Sequence, residues 1–535
     1  MNLKLSYLKF ILYTFLAIFA FYVNYFYSNL GLYPIDTFSF FDTGYLITRG
    51  YHPIKDYWVI SGIFIDYTQS LFFYIFGANW KAYVYHSSFV NAGIAIFFFF
   101  FLNKFLKNLI FNFSLSLSFA VLCYPVAGTP FPYQHSLILS LASIMIFYLA
   151  IYENKKIYWI LLPVLMVVSF LSMQLPSSLI NLIIITSIII HYILTDKKFL
   201  KHFLTGCFFV IIIFIFYFLF TKVEIKDFFI QMILFPLDIG SSRVLGDEKA
   251  FESANLFKKL TFRGIVGHFK FINIFIFLNI LAFIFLWKRK KKLFKFDRKI
   301  YANFLVLLCS ISFIFHQLIT ANQTFIFSLI PVLCGFFVIQ IKEFFEITNK
   351  KIEYFILIFI FLVTLKYHDV YNSKRKFMDL QNVNLEQAIN AEELNIKLKK
   401  LKWITPFDFS KNPKEEIDLL NQALLEISKS DKEVMVITHY QFFSTILEKN
   451  LNIPNRWYFP GNNTYPSNKE SKYRDHYQKK FIKILDNKNI KTIYVIEGRK
   501  NEMKKFDFKY LLKDKCFSKN IRSKIFYEIN IKKCY

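Results

Sequence analysis

A short segment near the N-terminus carries most of the side chains that could do chemistry. Between residues 36 and 56 lie three carboxylates, one arginine, one histidine and one lysine: Asp36, Asp42, Arg49, His52, Lys55 and Asp56. A carboxylate can act as a general base on a hydroxyl group, and lysine or arginine can neutralise a phosphate leaving group. Ionisable groups next to a membrane span are costly unless they are paired or functional. The same residues also suit a solvated loop in which Asp36 caps a helix over 37–48.

The elements that must position these residues are membrane-spanning helices. Of the 535 residues, 55% are hydrophobic and 19% are charged, and the mean hydropathy is +0.38. This composition excludes an ordinary soluble protein, a collagen, a coiled coil and a disordered chain. Apolar windows of about 20 residues can cross a bilayer. Such windows lie near 8–28, 82–102, 108–125, 136–152, 157–173, 178–195, 203–221, 271–287, 301–318, 324–341 and 352–367. The sequence predicts a mainly α-helical, polytopic bundle of about 11 spans.

The distribution of lysine and arginine predicts the orientation. With the N-terminus in the cytoplasm, the loops on that side carry basic residues, including the run 288–295, whereas the opposite loops 126–134, 174–177 and 319–323 carry none. Cytoplasmic loops are enriched in these residues, so the net charge of +28 indicates orientation rather than a nucleic-acid partner. An odd number of spans then places residues 368–535 outside the cytoplasm. The composition and the lack of a cleavable signal favour a bacterial inner membrane.

Two loops on the extracytoplasmic side, 29–81 and 222–270, are too long to be simple connections. Long ordered loops are usually functional. In the first, the apolar pattern of residues 60–77 predicts a helix lying along the membrane surface. In the second, Arg243 is a candidate phosphate ligand, as is His135 in the polar turn 128–135. For His135, a hydrogen-bonded helix terminus is the alternative.

From about residue 384 the pattern changes to polar helices alternating with short apolar strands. Helices are predicted at 415–429, 441–449 and 471–487, and buried strands at 433–438 and 491–496. Continuous apolar strands between helices are typical of a parallel sheet, so residues 368–535 are predicted to form a small extracytoplasmic α/β domain. Its two cysteines, Cys516 and Cys534, could pair in an oxidising compartment. The segment 456–465 offers aromatic and amide groups that suit sugar faces, or else simply closes the domain.

The order of residues in the first long loop resembles that of the GT-C membrane glycosyltransferases. The loop contains Pro34-Ile-Asp36, then Tyr51-His-Pro-Ile-Lys-Asp56-Tyr-Trp58, then an amphipathic stretch ending at Gly77. That family, which includes the protein mannosyltransferases and the lipid A aminoarabinose transferases, shows an aspartate after the first span, a G-x-x-x-Y-x-D-x-W-like segment and a juxtamembrane helix. Here Gly50, Asp56 and Trp58 fall at matching spacing, whereas Ile54 stands at the tyrosine position.

The resemblance implies a GT-C-like fold and the transfer of a sugar from a polyprenyl-phosphate donor to a lipid or glycan hydroxyl, with inversion, on the outer face of the membrane. It implies Asp36 as the catalytic base and Asp56 as the second acid, with Asp42 as an alternate. Lys55 suits the donor phosphate, and Arg49, Arg243 and His135 are the other candidates for it. A divalent cation stays possible, although no metal-ligand set has recognisable spacing.

Two other functions stay open. A transporter or flippase of lipid-linked sugars would also need a basic cavity, but the sequence shows no internal repeat of the kind that transporters have. A glycan polymerase or ligase of another membrane class would place its chemistry in the loop 222–270, and substitution of Asp36 would then be tolerated.

Overall fold

The structure is a computed structural model that is mainly helical (72%). It describes residues 3–31, 34–123, 128–194, 197–245, 261–289, 298–320, 326–345, 350–374, 384–404, 412–458, 464–467, 470–497, 506 and 508–532. Cys516 is disulfide-bonded, and its predicted partner Cys534 lies outside these residues.

The helices follow the apolar windows of the sequence. In the first half of the chain they are α1 (Leu3–Ser28), α2 (Pro34–Thr37), α3 (Phe41–Thr48), α4 (Ile63–Phe76), α5 (Trp80–Phe105), α6 (Leu109–Leu122), α7 (Pro132–Glu153), α8 (Lys156–Ser172), α9 (Gln174–Leu194), α10 (Phe199–Thr221), α11 (Ile225–Phe229) and α12 (Phe235–Leu245). They continue with α13 (His268–Arg289), α14 (Arg298–Ile319), α15 (Leu329–Phe345), α16 (Lys350–Tyr367), α17 (Pro413–Ser428), α18 (Phe443–Leu447), α19 (Arg474–Asn487) and α20 (Phe508–Leu511).

Each of the predicted windows corresponds to one helix, but not every helix is long enough to cross a bilayer. Among the described residues, eight helices meet the length and hydropathy needed, namely α1, α5, α7, α9, α10, α13, α14 and α16. The windows at 108–125, 157–173 and 324–341 correspond to the shorter apolar helices α6, α8 and α15. Length and composition therefore support a multi-pass membrane protein with eight candidate spans rather than a fixed count of 11.

The bundle is arranged around α7, whose side chains are almost all buried, whereas α10 lies at the periphery. Large apolar side chains of α10 are exposed, including Phe208, Leu219 and Phe220. Contiguous exposed apolar surface of this kind is unfavourable in water. A lipid environment removes that cost, which supports placement of α10 in a membrane.

Loop 1, the segment 29–79 between α1 and α5, contains the short helices α2 to α4. The helix predicted along the membrane surface is α4, but its polar residues Asp66 and Gln69 are fully buried, while Leu71, Tyr74 and Ile75 are exposed. The polar face therefore packs against the protein and the apolar face points away from it. Gly62 begins this helix with φ +78°, and a Cβ there would lie 2.8 Å from the Phe40 ring.

The C-terminal region, residues 384–532, contains a two-stranded sheet and a four-stranded sheet. The first pairs β1 (Ile389–Asn390) with β2 (Lys402–Trp403). The second has the order β3-β4-β6-β5, built from β3 (Met435–Thr438), β4 (Thr492–Ile496), β5 (Phe517–Ile521) and β6 (Phe526–Ile531). The two predicted strands are confirmed as the parallel pair β3 and β4, with Met435 opposite Ile493.

The prediction of a purely parallel sheet is wrong for the other half of the sheet. β6 runs antiparallel to β4, and β5 runs antiparallel to β6. β5 is a mostly exposed edge strand, so it lacks the continuous apolar run by which a buried strand is recognised. The sheet is therefore mixed.

The C-terminal region and loop 1 share one hydrophobic core. The Phe38 ring lies 4.8 Å from that of Phe442, measured between ring centroids, and both side chains are buried. The backbones also join, since Trp58 N donates to Pro454 O at 2.8 Å and Lys402 N donates to Asn29 O at 2.8 Å. Loop 1 and the C-terminal region therefore lie at the same end of the helix bundle.

Candidate functional site

A pocket of about 330 Å³ lies between loop 1, the segment after α10 and helix α19. The acidic and basic residues on its wall, with the one histidine, are Lys55, Asp56, Glu224, Asp227, His476, Lys479, Lys480, Lys483 and Lys488. Five lysines thus face three carboxylates, an excess of two positive charges before His476 is counted. Glu224 follows closely on the last residue of α10, Thr221. The pocket therefore suits an anionic ligand held at the end of a candidate membrane helix.

The turn that presents Lys55 and Asp56 to this pocket is held in a strained conformation. Ile54 has φ +73°, a left-handed value that is a genuine outlier for a β-branched residue. Its N–H donates to Tyr57 O at 3.1 Å, and its carbonyl accepts from Gln231 Nε2 at 3.1 Å. Asp56 Oδ2 accepts from His52 N at 2.7 Å. These bonds fix the turn so that Lys55 and Asp56 lie side by side at the pocket.

Lys480 connects helix α19 to this turn. Its ammonium donates to the carbonyl of Ile54 and, at 3.0 Å, to that of Lys55. Burial lowers the pKa of Lys480 to about 8, although the neighbouring carboxylates Asp227 and Asp56 oppose this effect. A protonated ammonium at this position holds the loop 1 backbone and adds positive charge to the pocket, and it loses its proton just above neutral pH.

Asp227 and His476 form a carboxylate–imidazole pair on the opposite wall. His476 Nε2 lies 3.0 Å from Asp227 Oδ1. Burial acts to raise the pKa of Asp227, but the close contact with His476 and the charges of Lys480 and Lys483 outweigh it, so the pKa is lowered. Sequence reasoning missed both residues, because no local spacing relates α11 to α19.

The structure separates the predicted site residues. Lys55 and Asp56 are brought together in the pocket, whereas Asp36 and Arg49 are not on its wall. Asp36 lies in α2 with a partly buried side chain, and Arg49 is exposed at the end of α3. Arg243 lies in α12, and its side chain is outside the described residues.

Asp42 binds the start of a helix in the C-terminal region. It is buried, and its carboxylate accepts from Ser444 N at 3.1 Å, from Thr445 N at 2.8 Å and from Thr445 Oγ1 at 2.7 Å. Burial raises its pKa to about 6, although these hydrogen bonds oppose the change. The carboxylate therefore joins α3 to α18 and does not line the pocket.

Replacing Asp42 by alanine is expected to lower the free energy of unfolding by about 2 kcal/mol, the usual value for hydrogen bonds to a charged group. The measurement is denaturant unfolding of the purified protein in detergent micelles. Asp418→Ala is the matched control, because Asp418 is exposed and pairs with Lys414 on its own helix. Unchanged stability together with lost activity would assign Asp42 to catalysis instead.

His135 lies in the interior of the bundle rather than in the pocket. Its Nε2 is 3.3 Å from His86 Nε2, and its Nδ1 is 3.0 Å from Phe131 O. His86 Nδ1 lies 3.0 Å from Gln69 Oε1, and all three polar side chains are at least 99% buried. Over the described ranges of the chain, no group of three or more His, Cys, Asp or Glu side chains is placed to hold a metal ion.

A buried ion pair joins loop 1 to the C-terminal region. Arg456 Nη1 is 2.6 Å from Asp66 Oδ2, with both side chains at most 1% exposed. The guanidinium also donates to Ser61 O, and it lies 4.7 Å from the centroid of the Phe40 ring. Thr43 Oγ1 donates to the other oxygen of Asp66 at 2.6 Å. Arg456 thus belongs to the contact with loop 1 rather than to an exposed sugar-binding face.

No family model and no curated protein matches the sequence, so the function must be argued from the geometry of this pocket.

Proposed function

We propose that the protein is a membrane glycosyltransferase that moves a sugar from a polyprenyl-phosphate donor to the hydroxyl of a lipid or glycan acceptor on the outer face of the membrane. The observation that carries this proposal is the charged pocket, in which Lys55 and Asp56 meet the lysines of α19 at the end of α10. Its volume lies within the range of small-molecule sites, about 300 to 1,000 Å³. It also has the excess of positive charge that a donor phosphate requires.

The proposed reaction requires the pocket to position two substrates and to stabilise a developing negative charge. The acceptor oxygen forms a bond to the anomeric carbon from the side opposite the phosphate, and the bond between that carbon and the phosphate oxygen breaks with its electron pair. Lys55 and the α19 lysines stabilise the negative charge that develops on the phosphate. Because a phosphate is already a good leaving group, positioning and charge stabilisation supply most of the acceleration.

The location of the pocket suits a donor with a long lipid chain. Such a donor keeps its chain in the bilayer and its phosphate at the surface, and Glu224 reaches the pocket soon after α10 ends. The exposed apolar face of α4, formed by Leu71, Tyr74 and Ile75, supports contact between loop 1 and the lipid. The positive-inside pattern of the loops supports a cytoplasmic N-terminus and an extracytoplasmic C-terminal region in a bacterial inner membrane.

The test is transfer of radiolabelled sugar from a panel of polyprenyl-phosphate sugars into lipid and glycan fractions. The double variant Lys55→Ala, Lys483→Ala is expected to raise the donor KM roughly 10-fold, because it removes two charges that face the phosphate. Lys432→Ala is the matched control, since Lys432 is exposed and is not on the pocket wall.

Two results would contradict the proposal. If the double variant transferred sugar with the donor KM of the control, the donor phosphate would not lie in this pocket. If the wild-type protein accepted no donor but moved labelled lipid-linked sugar across vesicles, the transporter function would replace the glycosyltransferase.

A further inference from the structure

We propose that His476, oriented by Asp227, is the group that takes the proton from the acceptor hydroxyl. This inference rests on the proposed function. It is needed because Asp36, the base implied by the resemblance, does not line the pocket, whereas His476 does.

The contact with Asp227 indicates which nitrogen of the ring is available. His476 Nε2 lies 3.0 Å from Asp227 Oδ1, a close charge contact without the geometry of a hydrogen bond, and this nitrogen is shielded from solvent, whereas 27% of the side chain is exposed. A carboxylate at this distance favours the proton on Nε2, and a neutral imidazole protonated there carries its lone pair on Nδ1. The nitrogen that faces away from Asp227 can therefore accept a proton from a hydroxyl bound in the pocket.

The other carboxylates of loop 1 are less available for this task. The oxygens of Asp42 accept hydrogen bonds from Ser444 and Thr445, and Asp56 Oδ2 accepts a bond from His52 N. The lowered pKa of Asp227 keeps its carboxylate charged at neutral pH. That negative charge holds the ring in one tautomer and stabilises the imidazolium that forms.

Both acidic and basic side chains surround the imidazole ring of His476. Asp227 and Glu224 face it from the segment after α10, and Asp56 and Lys55 line the same pocket from loop 1. Four lysines of the pocket wall lie on the same helix as His476 or just beyond its end. They are Lys479, Lys480 and Lys483 on α19 and Lys488 directly after it. The Trp58 ring centroid lies 6.3 Å from that of the imidazole.

In the proposed step, the acceptor oxygen forms its bond to the anomeric carbon while its proton passes to Nδ1 of His476. The electron pair of the breaking carbon–oxygen bond goes to the donor phosphate, and the imidazolium later returns its proton to water. A positioned general base contributes roughly 100- to 10,000-fold to a rate.

The experiment compares His476→Gln, Asp227→Asn and the wild type in transfer of radiolabelled sugar, with kcat measured from pH 5 to 9 and donor binding measured separately. His476→Gln is expected to lower kcat about 100-fold and to abolish the loss of rate at low pH, with donor Kd changed less than about twofold. Asp227→Asn is expected to lower kcat about 10-fold, because the imidazolium that forms during the reaction loses its neighbouring negative charge. A purely structural role of His476 would leave the loss of rate at low pH unchanged.

Two controls keep the test decisive. Asp475→Asn changes an exposed residue of the same helix that is not on the pocket wall, and it should behave as wild type. His476→Ala should recover rate when imidazole is added to the medium, which a misfolded variant could not do. If the wild type transfers sugar and His476→Gln has the same kcat and the same loss of rate at low pH, the inference about His476 is overturned. The proposal of a glycosyltransferase would then remain. If wild type neither binds nor transfers any donor, the proposed function itself fails.

Discussion

Replacing Lys480 by methionine is expected to weaken binding of a polyprenyl-phosphate sugar by roughly 10- to 100-fold, the equivalent of losing one charge-assisted hydrogen bond. Methionine keeps much of the side-chain length, so the apolar stem still packs. It cannot donate to the carbonyls of Ile54 and Lys55, which Lys480 holds in the native pocket. The strained turn at Ile54 then loses one of its supports, and the pocket loses one positive charge.

The pH dependence of donor binding provides a second test of the role of Lys480. Burial lowers the pKa of Lys480 to about 8, so the ammonium is charged below that pH and neutral above it. The donor is a phosphodiester whose charge does not change over this range. Donor affinity of the wild type should therefore fall as the pH rises from 7 to 9, and Lys480→Met should lack the part of this fall that comes from Lys480.

The measurement is equilibrium binding of a radiolabelled polyprenyl-phosphate sugar to purified protein at pH 7, 8 and 9. Lys432→Met serves as the control, because it removes an exposed lysine that does not line the pocket. Equal affinities of Lys480→Met and the control at pH 7 would show that Lys480 has no part in donor binding.

Replacing Arg456 by methionine is expected to destabilise the protein by about 3 to 5 kcal/mol, because the substitution leaves a buried carboxylate without its partner. Asp66 is fully buried and lies 2.6 Å from Arg456 Nη1. Thr43 alone then remains bonded to the Asp66 carboxylate. Since Arg456 also donates to Ser61 O, the loss loosens the contact between loop 1 and the C-terminal region.

The second substitution Asp66→Leu should restore most of the stability lost in Arg456→Met, since an apolar pair of similar volume tolerates burial as well as an ion pair does. Denaturant unfolding in detergent micelles measures both variants. Arg522→Ala is the matched control: its partner is Glu528 at 3.0 Å, but the arginine side chain is 46% exposed, so a change below about 1 kcal/mol is expected. An Arg456→Met protein as stable as this control would show that the buried pair contributes nothing to folding.

Much of the fold could be predicted because hydropathy is a local property. All of the apolar windows coincide with helices, and the strands at 433–438 and 491–496 appear within one or two residues of their predicted positions. The inward face of α4 could not be predicted, because in a membrane both the lipid and the protein interior are apolar. Helical periodicity shows which residues share a face with Asp66, but not whether that face meets lipid or protein.

Some residues of the candidate site could be predicted from the sequence, and others could not. The sequence identifies Lys55 and Asp56 through the charged segment 36–56 and its resemblance to the GT-C pattern, and the structure places both in the pocket. Their neighbour Asp42 carries the same chemical group but is bound to α18, a partner that no pattern within loop 1 reveals. The Asp227–His476 pair was missed for the same reason, because its two residues lie far apart in the sequence.

The sequence by itself determined that this chain is a multi-pass helical membrane protein with a C-terminal region of alternating helices and strands, because burial in lipid imposes long apolar runs that can be read one segment at a time. Only the tertiary structure decided which charges share a pocket. Lys480 contacts Ile54 across 426 positions of the chain, and Arg456 contacts Asp66 across 390. Such contacts depend on how loop 1 and the C-terminal region pack together in space, and a one-dimensional pattern of residue types carries no record of that packing.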